Sequence, residues 1–139
     1  MADSPQKAAT KRFGEEVFNQ GKLATADELL AADVVDHDAA PGQPAGAEGI
    51  KHFATMMRNA FPDLQTEIDE IIEEGDIVAF RYTVRGTHEG EFNGIAPTGR
   101  KIQVRAMEFL RFSDGKMVDR CGITDQLGLL GQLGASPAQ

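Results

Sequence analysis

Arg111-Phe112-Ser113-Asp114-Gly115-Lys116-Met117-Val118-Asp119-Arg120-Cys121-Gly122-Ile123-Thr124-Asp125 reads as the end of one strand, a tight turn and a second strand. Ser-Asp-Gly-Lys supplies the turn, with a glycine free to take positive φ. By period two, Met117, Asp119, Cys121, Ile123 and Asp125 share a face of the second strand. Most of that face is apolar, so it is expected to look inward, with Asp125 at its end and Leu127, Leu129 and Leu130 close behind. A carboxylate placed there would lose water, the condition that turns it into a working general base. Asp125 is therefore the first catalytic candidate.

Working back along the chain, the same period of two recurs over Leu64–Glu73, Ile77–His88 and Lys101–Phe112, with Glu74-Gly75-Asp76 as one turn and a glycine-rich loop over 89–99. Further back the period becomes helical. Ser4-Pro5 is a helix start, and Ala9, Phe13 and Val17 follow at helical spacing up to Gly21. Thr25-Ala26-Asp27-Glu28 has the form of a capping box, which predicts a helix to about Ala31. Val34–His37 reads as a short strand or edge segment. A third helix is expected over Ala47–Ala60, with Ile50, Phe53, Ala54, Met57 and Phe61 as its buried stripe. Helices first and four consecutive strands after them predict an α+β fold, a curved antiparallel sheet packed on the N-terminal helices around an apolar pocket. One domain spanning 1–139 is expected, with its ordered core at about 5–134 and a frayed tail over Ala135–Gln139.

Bulk properties narrow the functions. The 139 residues suit one core, and 41% are apolar. The net charge of −8, from 14 basic and 22 acidic side chains, comes without a basic stripe, so nucleic acid is not an expected partner. No signal peptide or run of membrane-spanning length stands out, and the single cysteine, Cys121, suits a reducing compartment. A cytoplasmic protein is expected.

Several motifs carry a resemblance: Phe61-Pro62-Asp63-Leu64 after a helix, Glu74-Gly75-Asp76, Gly86-Thr87-His88-Glu89-Gly90-Glu91-Phe92, Pro97-Thr98-Gly99-Arg100-Lys101-Ile102, Arg111 to Lys116, and Asp125 followed by Leu129-Leu130-Gly131-Gln132-Leu133-Gly134. In this order and spacing, from about Phe13 to Gly134, they resemble the SnoaL-like polyketide (ester) cyclase family. That resemblance implies a cone-shaped α+β barrel of the nuclear transport factor two class and a homodimer. It implies a hydrophobic carbonyl-bearing substrate closed by intramolecular aldol condensation, with no metal and no organic cofactor. It also implies that the aspartate at Asp125 is the acid/base and that the histidine at His37 lies in the same cavity. The chain departs from the family pattern in carrying Cys121 where tryptophan is common and Arg120 where histidine often stands. It also has no histidine near Ala106–Glu108.

Each candidate has a plainer reading beside the functional one. Asp125 opens the last helix and could simply cap it. His37, within Asp36-His37-Asp38, is a cavity donor or a hydrated loop histidine. Adjacent strand residues cannot all aim at one ion, so no metal is expected. Glu108, among Val104, Ala106 and Leu110, either pairs with a cation such as Arg81 or Arg105 or serves a site. Phe53, Met57, Tyr82, His88 and Cys121 are expected to line the pocket, Cys121 as a packed thiol without an activating base. The leading expectation is a cofactor-free cyclase, or a related lyase or isomerase, with Asp125 as base and His37 and Glu108 as helpers. The alternatives are an epoxide-hydrolase-like enzyme using a carboxylate–arginine–carboxylate set (Asp125, Arg105, Asp119) or a non-catalytic binder of lipophilic molecules. Ile71, Ala79, Met107 and Phe109 on the convex face point to a dimer.

Overall fold

A computed structural model describes residues 2–135 of the chain. Of the expected tail, all but Ala135 lies outside the described residues. Helix α1 (Pro5–Phe13) runs into a π-helical segment, Gly14–Asn19, and is followed by α2 (Leu23–Leu29), β1 (Leu30–Asp36), α3 (Gly46–Ala60), β2 (Gln65–Glu74), β3 (Ile77–Thr87), β4 (Lys101–Ser113), β5 (Lys116–Thr124) and α4 (Gln126–Gln132). The five strands form one sheet in the order β1-β5-β4-β3-β2. The fold is α+β, with the helices packed on the concave face of a curved sheet.

Local chemistry accounts for most of these boundaries. Ser4 caps α1, its hydroxyl accepting from the Lys7 amide at 3.1 Å, with Pro5 at the first helical position. Helix α2 starts two residues before the expected capping box, because the Thr25 hydroxyl donates to Glu16 Oε1 at 2.7 Å instead of capping. The helix also gives way to a strand at Leu30, earlier than its pattern predicts. Strand β1 is the edge strand of the sheet, seven residues long, and it pairs parallel to β5, so the sheet is not wholly antiparallel. That pairing joins segments more than eighty residues apart, which local periodicity does not encode.

Two bulges decide which side chains face inward. Between Ile68 and Glu70 of β2, Asp69 has no partner on β3, so the phase shifts and Ile71, opposite Phe80, turns toward the core. The exposed neighbour on the outer face is Ile72, which corrects the expectation for Ile71. In β5, Phe112 pairs with Met117 but Arg111 pairs with Asp119, leaving Val118 as the extra residue. Beyond it the strand changes face: Arg120, Gly122 and Thr124 stand opposite inward Leu110, Glu108 and Ala106, while Asp119, Cys121 and Ile123 turn outward.

The core has two centres. Val17, Ala26, Ile50, Ala54, Val78, Leu110, Phe112 and Met117 form one. Phe61, Leu64, Val84, Phe92, Ile102, Val104, Leu129 and Leu133 form the other. Phe13, Phe18, Met57, Phe80 and Tyr82 lie between them, half-buried. Past the end of β5, the Gln132 side chain of α4 bonds both the Gln103 amide (2.7 Å) and its carbonyl (2.9 Å), which fixes the last helix against β4. Among the described residues no helix is long and apolar enough to cross a membrane.

Candidate functional site

Between the two core centres lies a cavity of about 150 Å³. Its walls are mostly apolar, with Phe13, Phe18, Phe53, Met57, Phe80 and Leu110 among them and the threonines Thr10, Thr66 and Thr124 between. Exposed Ala40, Asn93 and Gln126 stand at its mouth. The walls are built by the helical stripe of α3, the aromatic pair Phe18–Phe53 (centroids 6.2 Å apart, edge to face), and the inward residues of β2, β3 and β4.

One charged cluster interrupts this lining. Glu108 of β4 accepts from Tyr82 Oη at 2.5 Å and from Arg120 Nε at 2.7 Å, one bond on each carboxylate oxygen. Arg120 Nη1 donates to Asp36 Oδ1 at 2.8 Å, and Gln43 Nε2 donates to Asp36 Oδ2 at 3.2 Å. The side chains of Asp36, Glu108 and Arg120 are only 10%, 12% and 18% exposed. Four strands contribute one member each: β1, β3, β4 and β5. Each side chain is locked by its neighbour, which preorganises the group. Burial opposes the charge on Arg120, but Glu108 and Asp36 outweigh it and push its pKa further up. Of the three, Glu108 and Arg120 line the cavity, while Asp36 stands behind Arg120, outside the lining.

Burial, then the charge of Glu108, holds the Tyr82 phenol well above its ordinary pKa of 10.0, so it stays a hydrogen-bond donor. Tyr82 is the only tyrosine and the chain has no tryptophan, so its ionisation can be read alone by ultraviolet absorbance. Tyrosinate is expected only well above pH 10, with Glu108→Gln bringing the transition down; a normal transition in the folded chain would contradict the buried contact. With the folded-state pKa raised, the unfolded chain gives up its proton first. The contribution to stability is thus complete below pH 10 and lost as pH rises through the folded-state value.

The space for this cluster depends on Gly122. A Cβ built there would lie 2.6 Å from Glu108 Cγ and 2.7 Å from Arg120 Nη2. Gly122→Ala is expected to spread the pair and cost about 1–3 kcal/mol, as overpacking does, measurable by urea unfolding.

The expected site residues separate into two groups. Glu108, Tyr82, Phe53 and Met57 line the cavity. Asp125 does not share the dry setting expected of it: it is exposed beside the mouth, and its Oδ1 accepts from the Gly128 amide at 2.8 Å as the N-cap of α4. His37 is not in the cavity; it is exposed on the outer face, with Nε2 2.9 Å from Asp119 Oδ2, and the hydrogen bond and charge of Asp119 raise its pKa. Cys121 is also off the cavity, turned outward by the Val118 bulge. His88 is fully buried but walled off, tilted against Phe61 at 5.6 Å. Its Nδ1 accepts from the Thr98 amide at 3.2 Å, so Nε2 carries the proton, without a partner among the described residues. Arg81 and Arg105 stand on the outer face, so neither is the partner of Glu108. The set Asp125–Arg105–Asp119 is not assembled. A set of the same kind is, from Asp36, Arg120 and Glu108.

Arg120 and Asp36 are the members missed by sequence reasoning. An unpaired inward Glu108 signalled a missing cation, but the cation lay one bulge away from the face on which period two placed it.

Residues 8–133 match the SnoaL-like polyketide cyclase family. DauD, an aklanonic acid methyl ester cyclase of Streptomyces sp. (strain C5), is 29% identical over 135 residues, covering 94% of this chain and 83% of the relative. Among solved structures, TsrD from Streptomyces laurentii superposes with a TM-score of 0.89 at 25% identity, over 98% of this chain and 99% of that one. IdmH from Streptomyces antibioticus superposes with a TM-score of 0.82 at 35% identity, over 96% and 100%.

Proposed function

The chain belongs to the SnoaL-like polyketide cyclase family, and from that premise we propose that it closes a ring in a hydrophobic, carbonyl-bearing ester by cofactor-free acid/base catalysis in its cavity. One observation carries this reading: Glu108 is the carboxylate that lines a mostly apolar chamber, with a phenol and a guanidinium bonded to it. Intramolecular aldol addition needs a base at a carbon flanked by carbonyls. Glu108 takes that proton, the enolate carbon bonds to a second carbonyl carbon, and the new alkoxide takes a proton back. Atoms are conserved throughout. Tyr82 and Arg120 are the donors available to the developing oxyanion, and the apolar walls strengthen them by excluding water.

The test is turnover of aklanonic acid methyl ester, the substrate class in the name of the relative DauD, followed by related aromatic polyketide esters. A product of unchanged mass with one new carbocycle supports the proposal. No consumption of any member of the panel, with the folded protein in excess, would overturn it. The Asp36–Arg120–Glu108 set supports a second reading, in which two carboxylates bridged by a guanidinium activate water against an epoxide. That reaction gains the mass of one water, so the two are separated by mass spectrometry.

The outer face of the sheet supports a homodimer. Ile72, Ala79 and Phe109 are cross-strand neighbours in one row, and Met107 and Ile123 pair in the next. Phe109 is 60% exposed and Ile123 75%. A patch of this kind on an acidic chain favours a second copy over bulk water. Phe109→Glu is expected to convert a dimer to a monomer by light scattering; an unchanged mass would move the interface elsewhere. The lone thiol is the argument for placing the reaction in the cytoplasm.

A further inference from the structure

The outer face carries a second constellation that the cyclase chemistry does not use. Parallel pairing of β1 with β5 sets Val35 opposite Asp119 and Asp36 opposite Arg120, and the His37 amide donates to the Arg120 carbonyl at 2.9 Å. The side chain of His37 thereby reaches the same surface as Asp119 and Cys121, the two residues that the Val118 bulge turns outward. His37 Nε2 lies 2.9 Å from Asp119 Oδ2, and ligand atoms of His37, Asp119 and Cys121 all lie within 4.8 Å of one another. We propose that these three side chains bind one divalent transition-metal ion of the zinc class, with a fourth position open to water.

Geometry and donor type both support this site. Zinc bonds of about 2.0–2.3 Å in a tetrahedron hold donor atoms roughly 3.3–3.7 Å apart. The His37–Asp119 pair needs only to open slightly to admit the ion, and Cys121 needs at most a small rotation toward it. All three sit on, or next to, strands paired by backbone hydrogen bonds, so their separation is fixed before the ion arrives. One imidazole, one carboxylate and one thiolate form a borderline-soft set, which suits zinc or cobalt(II) and disfavours magnesium and calcium. Thiolate and carboxylate together balance the charge of the ion.

The position also suggests what the ion does. Strand β1 is an edge strand whose pairing with β5 is irregular between Leu30 and Val35. The Asp36–Arg120 ion pair ties the two strands on the cavity side. An ion held by His37, Asp119 and Cys121 ties β5 to the residue that follows β1, on the outer side. It would act as a staple beneath the catalytic cluster, and would raise thermal stability by mass action.

The test uses the full chain, reduced with a non-chelating phosphine and titrated with cobalt(II) alone. Expected is one ion per chain, with an intense thiolate-to-metal band in the near ultraviolet and tetrahedral visible absorption. Cys121 is the only cysteine, so the band has a single origin and Cys121→Ser abolishes it. His37→Ala and Asp119→Asn should each weaken binding at least about tenfold, with unchanged circular dichroism showing that the variants fold. Absence of the band at millimolar cobalt, or a band of equal affinity in His37→Ala and Asp119→Asn, would overturn the proposal.

Discussion

Arg120→Met is expected to lower the unfolding free energy by about 3–5 kcal/mol, the usual consequence of removing one partner from a buried ion pair. Methionine fills much of the volume, so the loss is mainly electrostatic. Glu108 would keep only Tyr82 as a hydrogen-bond partner, Asp36 only Gln43 and the Asp38 amide, and two largely buried carboxylates would be left without a counter-charge. The cost comes from stranding these charges, not from the net value of the salt bridge. Replacing Asp36, Glu108 and Arg120 together by apolar residues of similar size should therefore cost much less than Arg120→Met alone. Urea unfolding of the two variants measures both. A loss under about 1 kcal/mol for Arg120→Met, the range of exposed pairs, would mean that the cluster is solvated.

How far the sequence could be read depended on the range of the interactions involved. The α3 stripe of Ile50, Phe53, Ala54 and Met57, and the alternation of Ile102, Val104, Ala106, Glu108, Leu110 and Phe112 in β4, are local periodicities that packing preserves, and they place one wall of the cavity correctly. Glu108 was legible for the same reason: it breaks an apolar face, and such a break needs a partner or a purpose. What was not legible came from single inserted residues. Val118 and Asp69 each reverse the face of all that follows in the strand, and nothing in Met117-Val118-Asp119-Arg120 distinguishes a bulge from continuous alternation. The Val118 bulge moved Arg120 into the cavity and Cys121 out of it, and so exchanged an ion-pair partner of Glu108 for a surface thiol. His37 was misplaced for a different reason. Its environment depends on parallel pairing with a strand more than eighty residues later, and Asp36, not His37, is the residue that faces Arg120.

Glu108→Gln should reduce turnover of a cyclised substrate by about 10²–10⁴, the range supplied by a positioned general base, and leave the fold intact. Glutamine preserves the shape and can still accept from Tyr82, and Arg120 keeps Asp36 as its counter-charge. What is lost is the ability to take a proton from carbon. The matched variant is Asp125→Asn. Asparagine caps helices as well as aspartate and can keep the bond from the Gly128 amide, so stability should hold. With the base inside the cavity, turnover should change by less than about threefold, under about 0.7 kcal/mol in the barrier. The opposite pattern, with Asp125→Asn inactive and Glu108→Gln near wild type, would move the base to the mouth of the cavity and reduce the Asp36–Arg120–Glu108 cluster to a structural tie. Kinetics separate the two further. A lost proton acceptor lowers kcat with little change in KM, whereas damage at the mouth, where Asp125 stands beside Gln126, acts on entry and raises KM.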